Sequence, residues 1–597
     1  MDSRRLGLEL RPSLRKLSWC VLEADERKVL YLCQVLGIHE VLSRVLVNRG
    51  YSDPDMAAKF LIPKVKDSLP DPFLLKDIDI AADRIISAIQ NQEKVTIFAD
   101  YDVDGATSSA LLKKFLCECG ILPGIYIPHR INEGYGPNVG AIQQIKANGT
   151  SLLITVDCGT TAFEPLSEAK KIGLDVIVLD HHMADGKLPD ALAIVNPNRL
   201  DDDFPYKSIA AVAVTFMTVI AVRTKLRKIN WFGTNKEPDL IQYLDLVALG
   251  TVCDIMPLTG LNRAFVAQGL QLIAKRNNLG LRMIADVVKL DAKPRSFHLG
   301  YIIGPRINAG GRISKPELGA ALLTTIDPIE AHDIASKLNM LNQERREIEK
   351  QALDEIISQI ELEVSESPVI FAVGENWHIG VLGILASRVK EQYNKPSIVI
   401  SVSGGVGKGS ARSIHGIDLG LIIQSAKEMN MLIDGGGHAM AGGFTIDLSK
   451  VNEFKDFVQK KIMAIKYIDN LFEEALELKV DSVITVHTAN DNLIEILEKA
   501  EPFGNGNPQP RFAILNAIVL RATQFGSSHI SLLIRDQDDI ISRKTLKCLF
   551  FKALEKDYGQ LLLNSVNKTL DVVGTLQSDD WERSKVKFII EDITFHG

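Results

Sequence analysis

Aspartate and histidine side chains follow short apolar runs at several points in the first half of the sequence. DYDVDG follows KVTIFA, Asp157 follows LLITV, DHH follows LDVIVL, and a further aspartate interrupts the apolar stretch LVALGTVCDIMPL. Carboxylates and imidazoles together suit Mn²⁺ or a similar divalent ion, and the carboxylates also suit Mg²⁺. Two such ions about 3.5–4 Å apart could activate a water molecule and bind a phosphate oxygen. The candidate metal ligands are Asp100, Asp102, Asp104, Asp157, Asp180, His181, His182 and Asp254.

The elements that would bring these side chains together are the strands of one parallel sheet. From Lys94 onward, apolar β-branched runs alternate with helical segments, which predicts a parallel sheet covered by helices on both faces. The carboxyl ends of neighbouring strands line one crevice, so side chains from four separate segments are predicted to converge. Several ionised carboxylates in a partly dry crevice are costly without cations, which favours a metal site. Gly105 is expected to leave the backbone free to turn into the next helix.

Each motif also has an ordinary structural interpretation. A single D-x-D is usually a helix cap or a solvated turn, Asp157 could cap a helix, and DHH could simply begin one. Asp254 is harder to explain in this way, because an unpaired carboxylate in an apolar stretch is costly to bury. The joint pattern is much more specific than any single member, and it favours a metal centre.

The composition is that of an ordinary globular protein and excludes a mainly disordered, collagen-like or coiled-coil chain. The 597 residues are 46% hydrophobic and 24% charged, with a net charge of −7, so a polyanionic partner would need a local basic surface. The 7 cysteines form no C-x-x-C pair, which argues against a zinc ribbon or disulfide framework and indicates a reducing compartment. The longest apolar stretch, 209–222, is too short to span a bilayer. We expect it to be a buried helix in a cytoplasmic protein that does not associate with membranes.

The rest of the chain divides into segments of different pattern. Residues 1–92 alternate helical patterns with proline-containing turns, and 77–90 is predicted to be an amphipathic helix. Residues 328–361 have dense charge and no glycine, which predicts a long helix connecting two lobes. A second α/β unit is predicted over about 368–465, and short β runs from Glu473 onward predict a small barrel of OB type.

Longer motifs surround these residues. In chain order they are ADYDVDGATSSALL, TVDCGTT, VLDHH, ALGTVCDIMPL and GPRINAGGR, followed by NWHIGVLGILASR, GKGSARS and GGGHAMAGG. The first five resemble the DHH phosphoesterase superfamily, and the later three resemble its DHHA1 companion domain. Two further segments, LVNRGYSDPDMAAKFLIP and EPFGNGNPQPRF, narrow the resemblance to the RecJ-like single-stranded-DNA-specific exonucleases. The resemblance covers nearly the whole chain.

The resemblance implies an α/β fold, in which a parallel-sheet DHH domain is joined by a long helix to a smaller α/β DHHA1 domain, followed by an OB-like β-barrel. The implied segments are an N-terminal helical segment (1–70), the DHH catalytic domain (71–325), the connecting helix (326–362), the substrate-binding DHHA1 domain (363–470) and the OB-like nucleic-acid-binding domain (471–597). The implied reaction is 5′→3′ release of mononucleotides from single-stranded DNA with two Mn²⁺ or Mg²⁺ ions, in DNA repair and recombination. The implied protein is a monomer that works with a helicase and a single-strand-binding protein.

The resemblance also implies roles for individual residues. It places metal ligands on Asp102, Asp104, Asp157, His181 and Asp254, and it implies that these five residues and His182 are catalytic. Asp100, Asp180 and His182 are implied to support the metal site. It places substrate contacts on Arg306, Asn308, Arg312, Lys408, Ser410, Arg412 and His438. One departure from the family pattern is Cys253, where similar proteins tend to carry alanine.

The segments that carry the implied substrate contacts have ordinary interpretations as well. Residues 295–315 and 395–415 contain cations and no acid, as expected of phosphate-binding segments, but each could be a glycine-rich turn. GGGHAMAGG could be the tight start of a helix packed against a strand. Trp377 and His378 could either stack on a base or begin a helix.

Two other functions stay open at this point. DHH phosphodiesterases that act on short oligoribonucleotides or cyclic dinucleotides, and related pyrophosphatases, are smaller and lack the N-terminal and barrel segments. An inactive single-strand-binding subunit, as in the replisome, would have lost ligands, whereas every expected ligand type is present in this chain.

Overall fold

The protein is described by a computed structural model over residues 13–130, 133–184, 186–360, 367–465, 476–538, 544–578 and 586–596. The expected domain boundaries at 362/363 and 470/471 lie outside these residues. The chain packs as two compact units. One comprises Pro63–Lys466 with Gly504–Gly506, and the other comprises Met1–Ile62, Tyr467–Phe503 and Asn507–Gly597.

The α-helices of the described residues are numbered in chain order. They are α1 (Glu26–Leu36), α2 (Glu40–Asn48), α3 (Pro54–Leu61), α4 (Val65–Ser68), α5 (Ile78–Asn91), α6 (Val103–Glu118), α7 (Val139–Ala147), α8 (Phe163–Lys171), α9 (Ala211–Lys228), α10 (Leu244–Cys253), α11 (Gly260–Ala274), α12 (Leu279–Val287), α13 (Gly304–Ile313), α14 (Leu318–Thr324), α15 (Pro328–Ile360), α16 (Leu382–Tyr393), α17 (Leu419–Glu428), α18 (Val451–Met463), α19 (Asp491–Glu498) and α20 (Gly559–Leu563).

The β-strands are numbered in the same way. They are β1 (Ser18–Val21), β2 (Val95–Ala99), β3 (Gly124–Tyr126), β4 (Leu152–Val156), β5 (Asp175–Leu179), β6 (Ala193–Val195), β7 (Ile370–Glu375), β8 (Ser397–Ser403), β9 (Val406–Arg412), β10 (Asp434–His438), β11 (Ala441–Asp447), β12 (Glu477–Val480), β13 (Ser482–Val483), β14 (Phe512–Phe525), β15 (His529–Asp536), β16 (Leu546–Phe550), β17 (Thr569–Ser578) and β18 (Val586–Phe595).

The first sheet of the larger unit is parallel throughout, as predicted, with strand order β3-β2-β4-β5-β6. Every residue of β2 and β4 is buried, because helices cover both faces of the sheet. Alternate strand residues pack in opposite directions. Ile97 and Ile154 join the core with α5, α6 and α9, whereas Phe98 and Leu153 join the core with α7 and α8.

The connections reverse direction between β2 and β4, since β3 is added on one side of β2 and β4 on the other. This reversal is the topological switch point at which open α/β sheets bind ligands. The two loops that leave the sheet there begin with Asp100 and Asp157.

Two largely buried helices, α9 and α10, lie next to the edge of the sheet that carries these loops. The apolar stretch 209–222 forms most of α9, which confirms the buried helix expected from the sequence. The neighbouring helix α10 is buried over Leu244–Thr251 and ends at Asp254. Within the described chain, we find no helix that combines the length and apolarity of a membrane span.

The segment GPRINAGGR is helical and does not form the glycine-rich turn considered above. It constitutes α13, which follows a π-helical turn over His298–Ile303. Its glycines serve close packing: a Cβ on Gly304 would lie 2.4 Å from the Sγ of Cys253, and one on Gly311 would lie 2.6 Å from the carbonyl oxygen of Tyr101. The long helix α15 follows, as the charge pattern predicts.

The second sheet of this unit is mixed, with strand order β10-β11-β9-β8-β7 and only the β7–β8 pair parallel. GGGHAMAGG contributes to the antiparallel hairpin β10–β11 and does not begin a helix. Trp377 is buried and donates its indole N–H to Glu355 at 2.7 Å, and His378 caps a short 3₁₀ helix over Ile379–Val381. His378 therefore begins a helix, and the Trp377 ring packs in the core.

The smaller unit contains the predicted barrel. Strands β14, β15, β16, β18 and β17 pair in that order, and pairing of β14 with β17 closes the ring. Phe512 lies in the barrel core, and Arg511 forms an ion pair with Glu591. The N-terminal strand β1 pairs in parallel with β12. The α/β class, the parallel sheet and the OB-like barrel predicted from the sequence are confirmed.

Candidate metal centre

The turn after β2 holds its three aspartates in different environments. Asp102 caps α6, and its Oδ1 accepts hydrogen bonds from the backbone N–H groups of Asp104 (2.8 Å) and Gly105 (3.1 Å). Asp104 is buried and accepts from the first backbone N–H groups of α9, at Ala211 (2.6 Å) and Val212 (3.0 Å). The positive end of that helix therefore steadies the Asp104 carboxylate.

Position 105 requires glycine because another part of the backbone approaches it closely, and its backbone angles are ordinary. The expectation that Gly105 frees the chain to turn was therefore wrong. Gly105 lies inside α6, with helical geometry. A Cβ at this position would lie 2.3 Å from the carbonyl oxygen of Asp100, so any larger residue would push the two arms of the turn apart.

The loops after β4 and β5 supply the next four side chains. Asp157 is buried and adopts a left-handed backbone with φ 62°, a conformation in which Asp and Asn are over-represented. His181 is also buried, whereas His182 is partly exposed. The fourth side chain is Asp180. All four lie in the loops that follow two adjacent parallel strands, β4 and β5, so they leave the sheet at the same edge.

His181 lies at the centre of the cluster. Its Nε2 is 3.3 Å from Asp157 Oδ1, 3.5 Å from Asp254 Oδ2 and 3.9 Å from Asp104 Oδ2. Three overlapping groups each place ligand atoms within 4.8 Å of one another: Asp157, His181 and His182; Asp104, His181 and Asp254; and Asp100, Asp102 and Asp157. Four segments that are distant in sequence thus meet at one place.

The carboxylates in this cluster are held in conditions that oppose their ionisation. Burial and the neighbouring carboxylates raise the pKa of Asp100, Asp157 and Asp254 well above the usual range, and that of Asp104 to about 7. Burial lowers the pKa of His181 to about 4, so its ring is neutral and can act as a ligand. A divalent cation would reverse the repulsion among the carboxylates.

Three buried ligand atoms in the cluster have no hydrogen-bond partner: Asp100 Oδ1, His181 Nε2 and Asp254 Oδ2. An unsatisfied buried polar atom is costly, and three of them within one cluster of side chains indicate that something else satisfies them. Oxygen and imidazole donors in this arrangement fit Mn²⁺ or Mg²⁺.

Asp180 belongs to none of the three groups found among the described residues. Its oxygens accept hydrogen bonds from the backbone N–H groups of Thr160, His181 and His182, and from His182 Nδ1 at 2.7 Å. Although burial opposes it, the bond from His182 holds the pKa of Asp180 below its usual range. Asp180 thereby orients the His182 ring, as carboxylates behind metal-bound imidazoles commonly do, and it holds the backbone of His181.

Cys253 precedes Asp254 without joining the cluster. Its thiol donates a hydrogen bond to the carbonyl oxygen of Leu299 at 3.5 Å, and the missing side chain of Gly304 leaves room for the sulfur. Burial raises the pKa of Cys253, which favours the thiol over the thiolate.

A group of arginines lies beside the acidic cluster. Arg312 of α13 donates to the carbonyl oxygen of Gly380 at 3.0 Å, and burial together with Arg130, Arg345 and Arg412 lowers its pKa to about 10. The repulsion among these cations would be relieved by an anion, and Arg side chains match phosphate oxygens well. Arg306 lies nearer the start of α13; its Nε donates to Asn339 Oδ1, and Arg345 and Arg346 are close to it. Asn308 lies between Arg306 and Arg312 on the same helix.

Sequence reasoning missed Arg130, which stacks over the Tyr101 ring at 4.9 Å and acts electrostatically on both Asp100 and Arg312. Tyr135, whose hydroxyl is 3.2 Å from His182 Nδ1, was also missed. Both follow β3, at the same sheet edge as the aspartates. The sequence feature that could have revealed them is the short run GIY, which forms β3 but was not predicted to be a strand.

The second sheet presents the remaining candidate substrate contacts on one face. Lys408, Ser410 and Arg412 alternate along β9, and Arg412 pairs with Ala441, which pairs with His438. A Cβ on Gly436 would meet nothing within 4 Å, so the face is open at Gly436, whereas α16 lies against its other end, where a Cβ on Gly383 would be 2.7 Å from Arg412 Nη2. On the opposite face, a Cβ on Gly409 would lie 2.1 Å from the Phe444 ring, and glycine there permits core packing.

Comparison with known proteins identifies the class. The description "DHH family, N-terminal domain" matches residues 94–251, "DHHA1 domain" matches 366–464 and "RecJ OB domain" matches 480–592. The fold is thus that of the DHH class, with the two companion domains.

Individual relatives narrow this class to one family. The single-stranded-DNA-specific exonuclease RecJ of Bacillus subtilis (strain 168) is 33% identical over 589 residues, which cover 97% of this chain and 71% of that protein. RecJ of Thermus thermophilus in complex with Mn²⁺ superposes with a TM-score of 0.78 at 26% identity, over 96% of this chain and 79% of that one. The same protein with Mg²⁺ gives 0.75 at 25% identity, over 97% and 78%. This chain belongs to the RecJ family of single-stranded-DNA-specific exonucleases.

The raised pKa of Asp104 makes metal stabilisation depend on pH. In the metal-free protein, ionising this carboxyl costs stability as the pH rises from the unfolded pKa through about 7, because its folded pKa is the higher one. Mn²⁺ favours the ionised form and offsets that cost. We expect the increase in unfolding temperature on adding Mn²⁺ to be larger at about pH 8 than at about pH 6, by differential scanning calorimetry. Equal increases at both pH values would contradict this, and Asp104→Asn should flatten the difference.

Proposed function

We propose that this chain is a metal-dependent exonuclease that hydrolyses single-stranded DNA to 5′-mononucleotides in the 5′→3′ direction, in DNA repair and recombination. The observation that carries the proposal is the convergence of aspartates and histidines from four segments around three unsatisfied buried ligand atoms. Membership of the RecJ family supports the substrate class. The Mn²⁺ and Mg²⁺ complexes of the Thermus relative support the choice of ions.

In this proposal, two ions would be held by Asp102, Asp104, Asp157, His181 and Asp254, with Asp100 and His182 completing the shell and Asp180 orienting the His182 ring. When bound, such ions supply a water molecule of lowered pKa and offset charge on the phosphate. The chain's own contribution is a rigid, water-poor set of ligands. Asp104 is fixed by the start of α9, and His181 is fixed by Asp180 and the carboxylates around it. No side chain serves as a nucleophile.

The arginine group beside the acidic cluster would hold the DNA phosphates. Arg312 and Arg412 are each repelled by Arg130 and by one another, and the cluster is within electrostatic reach of two of the three: Arg130 acts on Asp100, and Asp102 acts on Arg312. A phosphate between these cations and the ions would be neutralised from both sides. Ser410, Lys408 and His438 on one face of the second sheet, with Arg306 and Asn308 on α13, would guide the strand. The grip on the 5′ end would set the polarity.

Several further expectations stay proposals. The domain division at about residues 70, 325, 362 and 470 is one of them. The monomeric state, the cytoplasmic location and the partnership with a helicase and a single-strand-binding protein are others.

Digestion of end-labelled DNA tests the reaction, the direction and the metal together. With Mn²⁺, a 5′ label on single-stranded DNA should appear at once as a mononucleotide, whereas a 3′ label should stay on progressively shorter strands. EDTA should stop both reactions, and a duplex with blunt ends should resist. Preferential hydrolysis of a dinucleotide over the long strand, or early release of the 3′ label, would contradict the proposal.

Replacement of Asp157 tests the centre itself. Asp157→Asn keeps the size of the side chain and tolerates the left-handed backbone, but it removes a charge from two of the three ligand groups. We expect hydrolysis to fall by more than about 100-fold, while the far-UV circular dichroism and single-stranded DNA binding are retained. Asp190→Asn, which removes a surface carboxylate paired with Lys170, is the matched control. Near-normal turnover by the Asp157→Asn variant would rule out this site.

A further inference from the structure

The chain takes an unusual conformation immediately after Asp254. The N–H of Ile255 bonds to the carbonyl of Val252 (3.2 Å), and the N–H of Met256 bonds to the carbonyl of Thr251 (3.1 Å). These bonds form a Schellman motif, which ends a helix through one residue in the left-handed conformation. That residue is Ile255, with φ 57°, where glycine is usual.

Isoleucine is a poor choice for this position. A β-branched side chain in the left-handed region is a genuine outlier, with a conformational cost of roughly 1–3 kcal/mol. Burial does not offset that cost, because the Ile255 side chain is 69% exposed. Contacts to the backbone around Ile255 must therefore hold the conformation in place.

Those contacts come from Gly504–Gly506, in the EPFGNGNPQPRF segment, and these three residues are part of the larger unit. The Asn505 side chain donates its Nδ2–H to the carbonyl oxygen of Ile255 at 2.7 Å. The Asn505 carbonyl oxygen accepts from the N–H of Leu258, also at 2.7 Å. A single residue thus clamps the backbone on both sides of Met256 and Pro257.

The glycines that flank Asn505 allow this approach. A Cβ on Gly504 would lie 2.7 Å from Leu258 Cδ1, and one on Gly506 would lie 2.9 Å from Pro257 Cβ. Gly506 also has a left-handed backbone, with φ 69°. The G-N-G pattern therefore serves to bring one asparagine against the segment that follows Asp254.

We propose that Asn505 is a positioning residue for Asp254. The Ile255 carbonyl belongs to the peptide unit that follows Ile255, and the Ile255 N–H is already held by Val252. With both sides of Ile255 held, its left-handed conformation is fixed, and the chain leaves Asp254 in one direction, which places the Asp254 carboxylate in the cluster. Asp254 Oδ2, 3.5 Å from His181 Nε2, is one of the unsatisfied ligand atoms, and its placement depends on this clamp. The inference rests on the proposed function, because it takes Asp254 as a metal ligand.

The test measures Mn²⁺ binding as well as hydrolysis. Asn505→Ala removes the donor, and Asn505→Asp keeps the shape while replacing the donor with an acceptor. For both variants of the full chain, we expect Mn²⁺ binding, read from the electron paramagnetic resonance signal of free Mn²⁺, to weaken by about 10-fold or more. The Mn²⁺ concentration that gives half-maximal hydrolysis of single-stranded DNA should rise to match, while DNA affinity in EDTA stays unchanged.

A second substitution separates positioning from general stability. Glycine adopts the left-handed conformation without strain, so Ile255→Gly should remove the need for the clamp. In the Ile255→Gly background, Asn505→Ala should change Mn²⁺ binding by less than about threefold. Asn235→Ala, which removes an exposed asparagine bonded to the carbonyl of Trp231, is the matched control and should bind Mn²⁺ normally.

The outcomes are distinguishable. Unchanged Mn²⁺ binding in both Asn505 variants would overturn the inference, and so would a loss that Ile255→Gly does not rescue, because that result indicates a merely structural role. Failure of the unmodified protein to bind Mn²⁺ would instead contradict the proposed function.

Discussion

The repulsion between buried carboxylates is the constraint on which the rest of this structure depends. Asp104, Asp157 and Asp254 are crowded around the neutral ring of His181, and Asp100 adjoins Asp157 in the same cluster. A folded chain can tolerate such an arrangement only if protons or cations neutralise it. The raised pKa values of Asp104 and Asp157 correspond to neutralisation by protons, and the unsatisfied ligand atoms point to neutralisation by cations.

Rigid elements of the fold bring these carboxylates together, and the backbone is locally strained where they do so. The parallel sheet delivers two loops at its switch point, and the buried start of α9 anchors Asp104. Left-handed backbone at Asp157 and Ile255 turns the chain sharply just where ligands are needed. Such strain persists only when surrounding contacts over-determine it, which explains why hydrogen bonds behind the cluster matter as much as the ligands.

Much of this architecture was predictable from the sequence, for a simple reason. Strands buried on both faces, such as β2 and β4, must be continuous apolar runs, so an aspartate directly after one marks the sheet edge. Glycines were less informative. In α13 and at Gly105 they permit close packing between elements, which depends on tertiary neighbours that a single sequence does not reveal. The same holds for Arg130, which follows a strand of three residues, and for Asn505, which is about 250 positions from the segment it holds.

The central claim is that one pocket binds two divalent cations through these side chains. Anomalous diffraction from crystals grown with Mn²⁺ tests it most directly. We expect two manganese peaks about 3.5–4 Å apart, within bonding distance of Asp104, Asp157, His181 and Asp254. No manganese density in this pocket, with those four side chains turned away from one another, would contradict it.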